Sequence, residues 1–101
     1  TISSTNFAIA KLVDDMVKLG ALKYHIVAKI AGGAQMFSFT DASEIMRIGM
    51  RNVAATKEVL NILGIPITAE DTGGTYGRTI EINSGNGKLL IKTIGHGQKE
   101  I

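Results

Sequence analysis

The sequence predicts an α/β domain: a layered sandwich in which a helix, a strand, a second helix and a second strand contribute to a mixed sheet, followed by a C-terminal β-hairpin. Three patterns support this prediction. Two segments carry apolar residues at helical spacing, a nearly continuous apolar run lies between them, and residues near the C-terminal end alternate on either side of a glycine-containing turn. Because 101 residues is close to the commonest domain length, we expect residues 1–101 to form a single domain.

The composition argues against several classes of function. Eleven Lys and Arg against nine Asp and Glu give a net charge of +2, and they are spread along the chain, so we expect no nucleic-acid binding. No apolar run approaches the roughly 18 residues that span a bilayer, so we expect no membrane insertion. The absence of cysteine excludes disulfides and thiolate chemistry within these residues and fits a reducing cytoplasm. His25 and His96 have no second ligand at metal-binding spacing, so no metal site is expected.

The first helix is predicted from an apolar stripe that recurs at positions i, i+3, i+4, i+7 and i+8. Its members are Ile9, Leu12, Val13, Met16 and Val17. Ser3, Ser4 and Thr5 offer caps for its start, and Gly20 is placed to end it. We interpret the charged residues on the opposite face as a solvated surface.

The central strand is predicted at residues 26–31, because a nearly continuous apolar run fits a strand that is covered on both faces. Gly32 and Gly33 end this strand. The loop that follows is unusually apolar and contains Ala34, Met36, Phe37 and Phe39. An apolar loop at the end of a central strand is a common place for ligands and partners to bind.

The second helix is predicted from another stripe at helical spacing, after an irregular approach at residues 45–49 and a cap at Asn52. The members of the stripe are Val53, Thr56, Val59, Leu60 and Leu63. Gly64, followed by Ile65 and Pro66, is a strong C-terminal stop. Extended structure resumes after it, and a right-handed crossover would make this strand parallel to the first.

The hairpin is predicted at residues 78–83 and 89–94, which flank a turn rich in glycine and asparagine. The alternation places Ile80 and Ile82 on the same face, which we expect to be packed. Residues 95–101 show no periodicity, so we expect them to be loosely held.

Three blocks of sequence together resemble one family. They are AKIAGGAQMF at 28–37, IGMRNVAATKEVLNILGIPITAEDTGGTYGRTIEIN at 48–83 and GKLLIK at 87–92. The order and spacing of GGAxMF, IGxRN, GIPI and AEDxGGxxGR are much more specific than any of these elements alone. Over most of its length the chain is similar to the chemoreceptor glutamine deamidases of the CheD family.

This resemblance implies a layered α/β fold and a cytoplasmic protein of the chemotaxis apparatus, with no cofactor. It implies hydrolysis of particular glutamine side chains on methyl-accepting chemoreceptors to glutamate, with release of ammonia. It also implies a second partner, a CheC-type phosphatase, which competes with receptors for the same region of the protein.

The chain departs from that family where the catalytic residues are expected. The family's Gly-Ser-Cys and Ala-His segments lie upstream of the first helix, and neither is present in these residues. No catalytic residue can therefore be assigned, and we expect residues 1–101 to be the C-terminal part of a CheD-like domain, inactive without an N-terminal catalytic segment. The alternative is a non-catalytic module that binds chemoreceptors or a CheC-type phosphatase.

Two glycine pairs are candidate contacts for substrate or partner: Gly32 with Gly33, and Gly73 with Gly74. The first interpretation is two tight turns that need positive φ. Neither pair matches a phosphate-binding fingerprint. The resemblance adds that the turns shape the floor and wall of the cleft that receives the glutamine.

Met36, Phe37 and Arg78 are the other candidate contacts. The two loop residues either fold back into the core or form an exposed patch that docks a receptor helix or a CheC-type phosphatase, and the sequence favours neither. For Arg78 we expect first a structural ion pair with Glu70 or Asp71 that pins the second glycine turn.

Overall fold

The structure is a computed structural model that describes residues 4–34 and 42–101. Its elements, in chain order, are α1 (Ser4–Lys18), a short 3₁₀ helix (Lys23–His25), β1 (Ala28–Gly32), α2 (Ala42–Leu63), β2 (Ile67–Thr72), β3 (Arg78–Ile82), β4 (Leu89–Thr93) and β5 (Gly97–Glu100). The predicted order of helix, strand, helix, strand and hairpin is confirmed, and with it the α/β fold class.

Both helices end at the predicted glycines, which adopt the left-handed backbone that closes a helix. The φ angle is 107° at Gly20 and 74° at Gly64. After α2, the amide of Ile65 donates to the carbonyl of Leu60 at 2.9 Å, and the amide of Gly64 donates to the carbonyl of Asn61 at 3.1 Å. This pair of bonds is a Schellman motif, and it brings Ile65 and Leu60 together in the core.

The core lies between the two helices and the strands β1 and β2. Its buried centre is Val13 of α1, Leu60 of α2 and Ile65. Partly buried side chains surround this centre: Ile9, Ile26, Ala28, Ile30, Leu63 and Ile67. The apolar stripes that predicted the helices therefore also hold them against the strands, because burial of apolar surface stabilises the contact by about 25 cal/mol per Å².

The five strands divide into two sheets rather than one mixed sheet. In sheet A, β1 and β2 are parallel, as the crossover rule predicts, with Gly32 opposite Thr72 at the carboxyl end. In sheet B, β3, β4 and β5 are antiparallel, and β3 with β4 is the predicted hairpin. Within the described part of the chain β1 pairs with β2 alone, so the prediction that β1 is a central strand is wrong there.

Helix α2 begins at Ala42, so the predictions of an irregular approach at residues 45–49 and of a cap at Asn52 are wrong. Gly49 lies inside the helix. A Cβ added to it would lie 3.1 Å from the carbonyl oxygen of Gly33. This position therefore needs a small residue because the helix passes close to the turn after β1, and the helix is not interrupted there.

The C-terminal residues 95–101 are not loosely held, because β5 lies within them and pairs with β4. The main chains of Ile101 and Leu89 also exchange two hydrogen bonds of 2.9 and 3.0 Å. A polar edge strand has no apolar period, which is why the sequence pattern missed it. The predicted packing of the β3 face is wrong within the described residues, since Ile80 is 50% and Ile82 is 73% exposed.

An ion pair connects α2 to β2. Nζ of Lys57 lies 2.8 Å from Oε2 of Glu70, and the hydroxyl of Thr72 donates to the same oxygen at 2.6 Å. The bond from Lys57 and, after it, the bond from Thr72 hold the pKa of Glu70 below its ordinary value of 4.5. The charged form of this carboxylate therefore stabilises the contact between helix and strand.

We expect part of the acid sensitivity of the protein to depend on this pair. A carboxyl group whose pKa is lower in the folded state stabilises that state above its ordinary pKa, and the contribution is lost as the pH falls through the folded pKa. Glu70→Gln should therefore flatten the fall in the free energy of unfolding below pH 4.5, measured by urea denaturation at successive pH values. Lys57→Met should flatten it more than Thr72→Val, because the bond from Lys57 is the larger cause. If the fall in the free energy of unfolding below pH 4.5 is the same in Glu70→Gln, in Lys57→Met and in the unmodified protein, this prediction is wrong.

Candidate functional site

The four glycines of the two predicted turns lie together at the carboxyl ends of β1 and β2. Their φ angles are 121° at Gly32, 67° at Gly33, 77° at Gly73 and 71° at Gly74. The amide of Gly73 donates to the carbonyl of Gly32 at 2.9 Å, which extends the pairing of the two strands into the turns. All four angles lie in the left-handed region that favours glycine, so the turns require this residue for backbone reasons alone.

Arg78, the first residue of β3, connects these turns to sheet B. Nη1 donates to the carbonyl of Gly32 at 3.3 Å, Nη2 donates to the carbonyl of Gly73 at 2.8 Å, and Nε donates to Oδ2 of Asp71 at 3.3 Å. The side chain is only 10% exposed. A planar guanidinium can satisfy one carboxylate and two carbonyls together, which an ammonium group does less well. The ion pair expected for Arg78 is thus present with Asp71, while Glu70 pairs with α2 instead.

Two further cations connect the sheets. Nζ of Lys99, on β5, lies 3.6 Å from Oδ1 of Asp71, whose side chain is 17% exposed. Nζ of Lys29, on β1, donates to the main-chain oxygens of Gly87 at 2.8 Å and Ile101 at 2.7 Å. Sheet B is therefore attached to sheet A by polar contacts at both ends of the interface, and Asp71 receives cations from two of its strands.

The turn after β1 also lies against α2. A Cβ added to Gly33 would lie 2.6 Å from Cγ2 of Val53, closer than real Cβ atoms approach other atoms. Gly49 and Val53 are one helical turn apart, so the same face of α2 presents both residues to this turn. The backbone of Gly33 can come this close only because the residue has no side chain.

A groove of about 340 Å³ opens beside Gly33. Asn52 and Thr56 of α2 and Thr72 of β2 contribute polar groups to its lining. The Thr56 hydroxyl donates to the main-chain oxygen of Asn52 at 2.7 Å, which leaves the Thr56 oxygen as an acceptor. The Thr72 hydroxyl donates to Glu70, so it too is left as an acceptor. An asparagine amide next to two accepting hydroxyl oxygens can hold a carboxamide, whose NH₂ group donates and whose oxygen accepts. No sequence signal joined these three residues, because the groove forms only when α2 packs against sheet A.

The described residues supply this groove with neither a thiol nor an imidazole. His25 lies edge-to-face on Tyr24, with ring centroids 4.6 Å apart, and His96 stacks on Tyr76 at 3.6 Å. Neither histidine lines the groove beside Gly33. Among residues 4–34 and 42–101, no group of three or more His, Cys, Asp or Glu could hold a metal ion. The groove therefore offers hydrogen-bonding groups, but its described side chains provide no nucleophile of the cysteine type.

Met36 and Phe37, the remaining candidate contacts, lie outside the described residues. Their assignment to the core or to a docking surface therefore stays a prediction. Neither helix in the described part of the chain combines the length and the apolar character needed to cross a membrane.

Replacing Arg78 should weaken the attachment of sheet B. Arg78→Met removes three hydrogen bonds and one charge of a nearly buried pair, so we expect the free energy of unfolding to fall by about 3 kcal/mol. Arg78→Lys keeps the charge without the planar fork and should lose about half as much. The control is Lys92→Met, since Lys92 pairs with Glu81 at 3.3 Å on the exposed face of the same sheet, where such pairs contribute about 0.5 kcal/mol. Equal losses for Arg78→Met and Lys92→Met in denaturant titrations would show that Arg78 has no special role.

The close approach at Gly33 predicts a coupled effect with Val53. Gly33→Ala should lower the free energy of unfolding by about 2 kcal/mol or more, because it combines a left-handed backbone with a steric clash. Val53→Ala removes the atom that clashes, so the loss in the double variant should be smaller than the sum of the single losses by about 1 kcal/mol. Strictly additive losses would mean that the two side chains do not meet.

The chain matches the family described as CheD chemotactic sensory transduction over residues 3–93. It is 63% identical over 90 residues to a probable chemoreceptor glutamine deamidase CheD of Caldanaerobacter subterraneus subsp. tengcongensis. The aligned region covers 89% of this chain and 56% of that relative. It is 56% identical over 93 residues to a probable chemoreceptor glutamine deamidase CheD of Lachnoclostridium phytofermentans. Here the aligned region covers 92% of this chain and 58% of the relative.

A third relative, the chemoreceptor glutamine deamidase CheD of Halalkalibacterium halodurans, is 51% identical over 94 residues, 93% of this chain and 58% of the relative. The chain thus spans somewhat more than half the length of the curated relatives that it matches. The family match covers nearly the whole chain and includes the glycine turns and Arg78. With the α/β fold and the motifs at 28–37 and 48–83, these matches establish that the chain belongs to the CheD family of chemotaxis proteins.

Proposed function

We propose that the complete protein hydrolyses particular glutamine side chains of methyl-accepting chemoreceptors to glutamate and releases ammonia. The observation that supports this most is the identity of 51–63% to relatives named as chemoreceptor glutamine deamidases. We further propose that residues 1–101 form the C-terminal part of one CheD domain, and that the catalytic cysteine and histidine belong to a segment that precedes them.

The reaction proposed is nucleophilic catalysis by that cysteine. Its thiolate adds to the carboxamide carbon of the receptor glutamine, and hydrogen-bond donors stabilise the negative charge that develops on the carboxamide oxygen. The histidine gives a proton to the leaving nitrogen, and ammonia departs as the thioester forms. Water then adds to the thioester, the carbon–sulfur bond breaks, and the receptor side chain leaves as a carboxylate.

In this proposal the described residues bind and orient the substrate. Asn52, Thr56 and Thr72 contribute the polar part of the lining of a groove beside Gly33, and an amide next to two accepting hydroxyl oxygens suits a carboxamide. The glycines of the two turns carry no side chain, so a receptor helix could approach the main chain at the end of sheet A. Arg78 keeps the second turn in place through its bond to Gly73.

We propose Gly32, Gly33, Met36, Phe37, Gly73, Gly74 and Arg78 as the contact surface for substrate or partner. Met36 and Phe37 follow Gly33 closely in the sequence, and in this proposal they are the apolar side chains on which a receptor helix packs. A CheC-type phosphatase is the second proposed partner of the same surface. Chemoreceptor modification of this kind would be carried out in the cytoplasm.

A non-catalytic binding module is the second candidate. The observation that favours it is the complete absence of cysteine from these 101 residues. Such a module would bind the same receptor region without releasing ammonia.

Ammonia release from a purified cytoplasmic fragment of a chemoreceptor separates the two candidates. We expect the complete protein to release ammonia and to convert glutamine to glutamate in the receptor peptides, read by mass spectrometry. Residues 1–101 alone should release none, and replacing the upstream cysteine by serine should lower the rate by about 10³-fold or more. The matched control, Lys92→Met in the complete protein, should leave the rate unchanged, since the exposed side chain of Lys92 pairs with Glu81 and does not line the groove beside Gly33.

One outcome would contradict the deamidase proposal, and another would contradict the assignment of its nucleophile. A complete protein that binds the receptor fragment but releases no ammonia would be a binding module. Ammonia release by residues 1–101 alone would mean that the nucleophile is not an upstream cysteine.

A further inference from the structure

Two threonine hydroxyls line the groove beside Gly33, and the partner of each hydroxyl fixes the direction of its hydrogen. The Thr56 oxygen lies 2.7 Å from the main-chain oxygen of Asn52, which can only accept, so Thr56 donates. The Thr72 oxygen lies 2.6 Å from Oε2 of Glu70, and an ionised carboxylate can only accept, so Thr72 donates as well. Both hydrogens are therefore used within the protein, and both oxygens offer only lone pairs to a ligand.

Glu70 keeps the Thr72 hydroxyl in this direction because it is ionised. A protonated carboxyl group has an O–H of its own, which could donate to Thr72 instead. Nζ of Lys57 lies 2.8 Å from Oε2 of Glu70 and favours the charged form. The 2.6 Å bond from Thr72 has the length typical of a hydroxyl that donates to a charged oxygen. A chain of contacts from Lys57 through Glu70 to Thr72 thus decides which group of Thr72 faces the groove.

The fold brings these groups together from β2 and α2. Glu70 and Thr72 occupy alternate positions of β2, so their side chains lie on the same face of sheet A. Asn52 and Thr56 are one helical turn apart on α2, and Lys57 follows Thr56 directly. The ion pair between Lys57 and Glu70 therefore joins the two polar sides of the groove as well as directing one of its hydroxyls.

The charges near the groove do not favour an anion. Lys29 is the one charged residue among the described residues that line it. Its Nζ donates to the main-chain oxygens of Gly87 and Ile101. Gly87 lies in the turn at the end of the hairpin opposite to Arg78, so this cation is directed away from the glycine turns. The ion pair between α2 and β2 adds no net charge.

These groups match a carboxamide better than a carboxylate. A carboxamide has an NH₂ group, which can donate to the two threonine oxygens, and an oxygen, which can accept from the amide of Asn52. A carboxylate has no hydrogen, so it would leave both threonine oxygens without a donor and place its own negative charge against them. A site that binds an NH group of its substrate discriminates against an analogue without it, because polar groups are then left unpaired.

We propose that Glu70 is a positioning residue that makes the groove selective for the glutamine substrate over the glutamate product. It acts through Thr72, whose hydroxyl hydrogen it directs away from the ligand. Substrate and product differ only at the end of one side chain, so selectivity at that end releases the product and limits inhibition by receptors that are already modified. This proposal rests on the part of the proposed function that takes the groove as the carboxamide site.

Product inhibition of the unmodified complete protein provides the first test, and it does not depend on a variant that folds. A cytoplasmic receptor fragment is prepared in a glutamine form and in a form in which glutamate replaces those glutamines. We expect the glutamate form to inhibit ammonia release with a Ki at least about 10-fold higher than the KM of the glutamine form, because it leaves two acceptors unpaired. A Ki equal to that KM would overturn the proposal.

Glu70→Gln tests whether Glu70 is responsible. With its amide oxygen on Lys57, the new side chain donates its NH₂ group to Thr72, whose hydroxyl hydrogen can then bind a carboxylate. We expect the ratio of Ki to KM to fall by about 10-fold. The matched control is Glu81→Gln, which changes the net charge equally; Glu81 pairs with Lys92 and does not line the groove, so the ratio should stay the same. An unchanged ratio in Glu70→Gln, or equal changes in the two variants, would overturn the proposal.

Two substitutions of Thr72 separate selectivity from a merely structural role. Thr72→Val keeps the shape of the side chain but removes the acceptor, so the KM of the glutamine form should rise by about 5-fold while the Ki of the glutamate form stays the same. Thr72→Ser retains the hydroxyl and should preserve both constants. A rise of KM and Ki by the same factor in Thr72→Val would indicate general damage to the groove and would contradict the proposal.

Equilibrium binding keeps this proposal distinct from the deamidase proposal. A complete protein that releases no ammonia would contradict the deamidase, and the affinities for the two receptor forms would then replace KM and Ki in the same comparison. A preference of about 10-fold for the glutamine form that Glu70→Gln abolishes would support the selectivity by itself. Equal affinities, or no binding of either form, would overturn the selectivity. Ammonia release with equal KM and Ki would contradict the selectivity alone.

Discussion

The side chain of Arg78 is the contact on which the arrangement of the two sheets depends. Its donors lie in one plane, and they reach Asp71, Gly32 and Gly73 at 3.3, 3.3 and 2.8 Å. The Arg78 side chain is only 10% exposed, so water cannot replace a hydrogen-bond partner that is lost. The loss of any one of the three partners would therefore be costly. One side chain thus fixes the start of β3 against both glycine turns. As a result, the start of β3 is joined to the carboxyl end of sheet A and to both glycine turns.

The second constraint is the close approach between the turn after β1 and α2. Gly33 leaves no room for a Cβ because Val53 lies 2.6 Å from where that atom would be, and Gly49 lies one helical turn earlier on the same face. The helix can therefore bring Asn52 and Thr56 to the end of the sheet, where they meet Thr72. The groove that we propose as the carboxamide site exists because these glycines are small, and the φ angle of 67° at Gly33 reinforces the same requirement.

Local chemistry was enough to predict much of this fold. The helical stripes and the stops at Gly20 and Gly64 depend on residues that are neighbours in the chain, so the sequence predicts them directly. The parallel pairing of β1 and β2 follows from the handedness of crossovers. Strand β5 is polar and has no apolar period, so the sequence pattern did not predict it. The start of α2 was predicted too late because Gly49 looked like a helix breaker, whereas its small size is required by a contact with Gly33, which is distant in sequence. The sequence could not predict that Thr56 and Thr72 line one groove, because they too are distant in sequence. It could predict an ion pair between Arg78 and Asp71, because an arginine near a carboxylate at a turn has few other partners.

The central claim is that the glycine turns and the groove beside Gly33 form one wall of the cleft that receives a receptor glutamine. Cross-link mapping tests it most directly, with a photoactivatable group placed beside the target glutamine of a receptor helix and irradiated in the presence of the complete protein. Cross-links at residues 32–34, at residues 73–74 or at Thr56 are expected. Cross-links confined to residues 83–88, the turn at the end of sheet B opposite to Arg78, would contradict the claim.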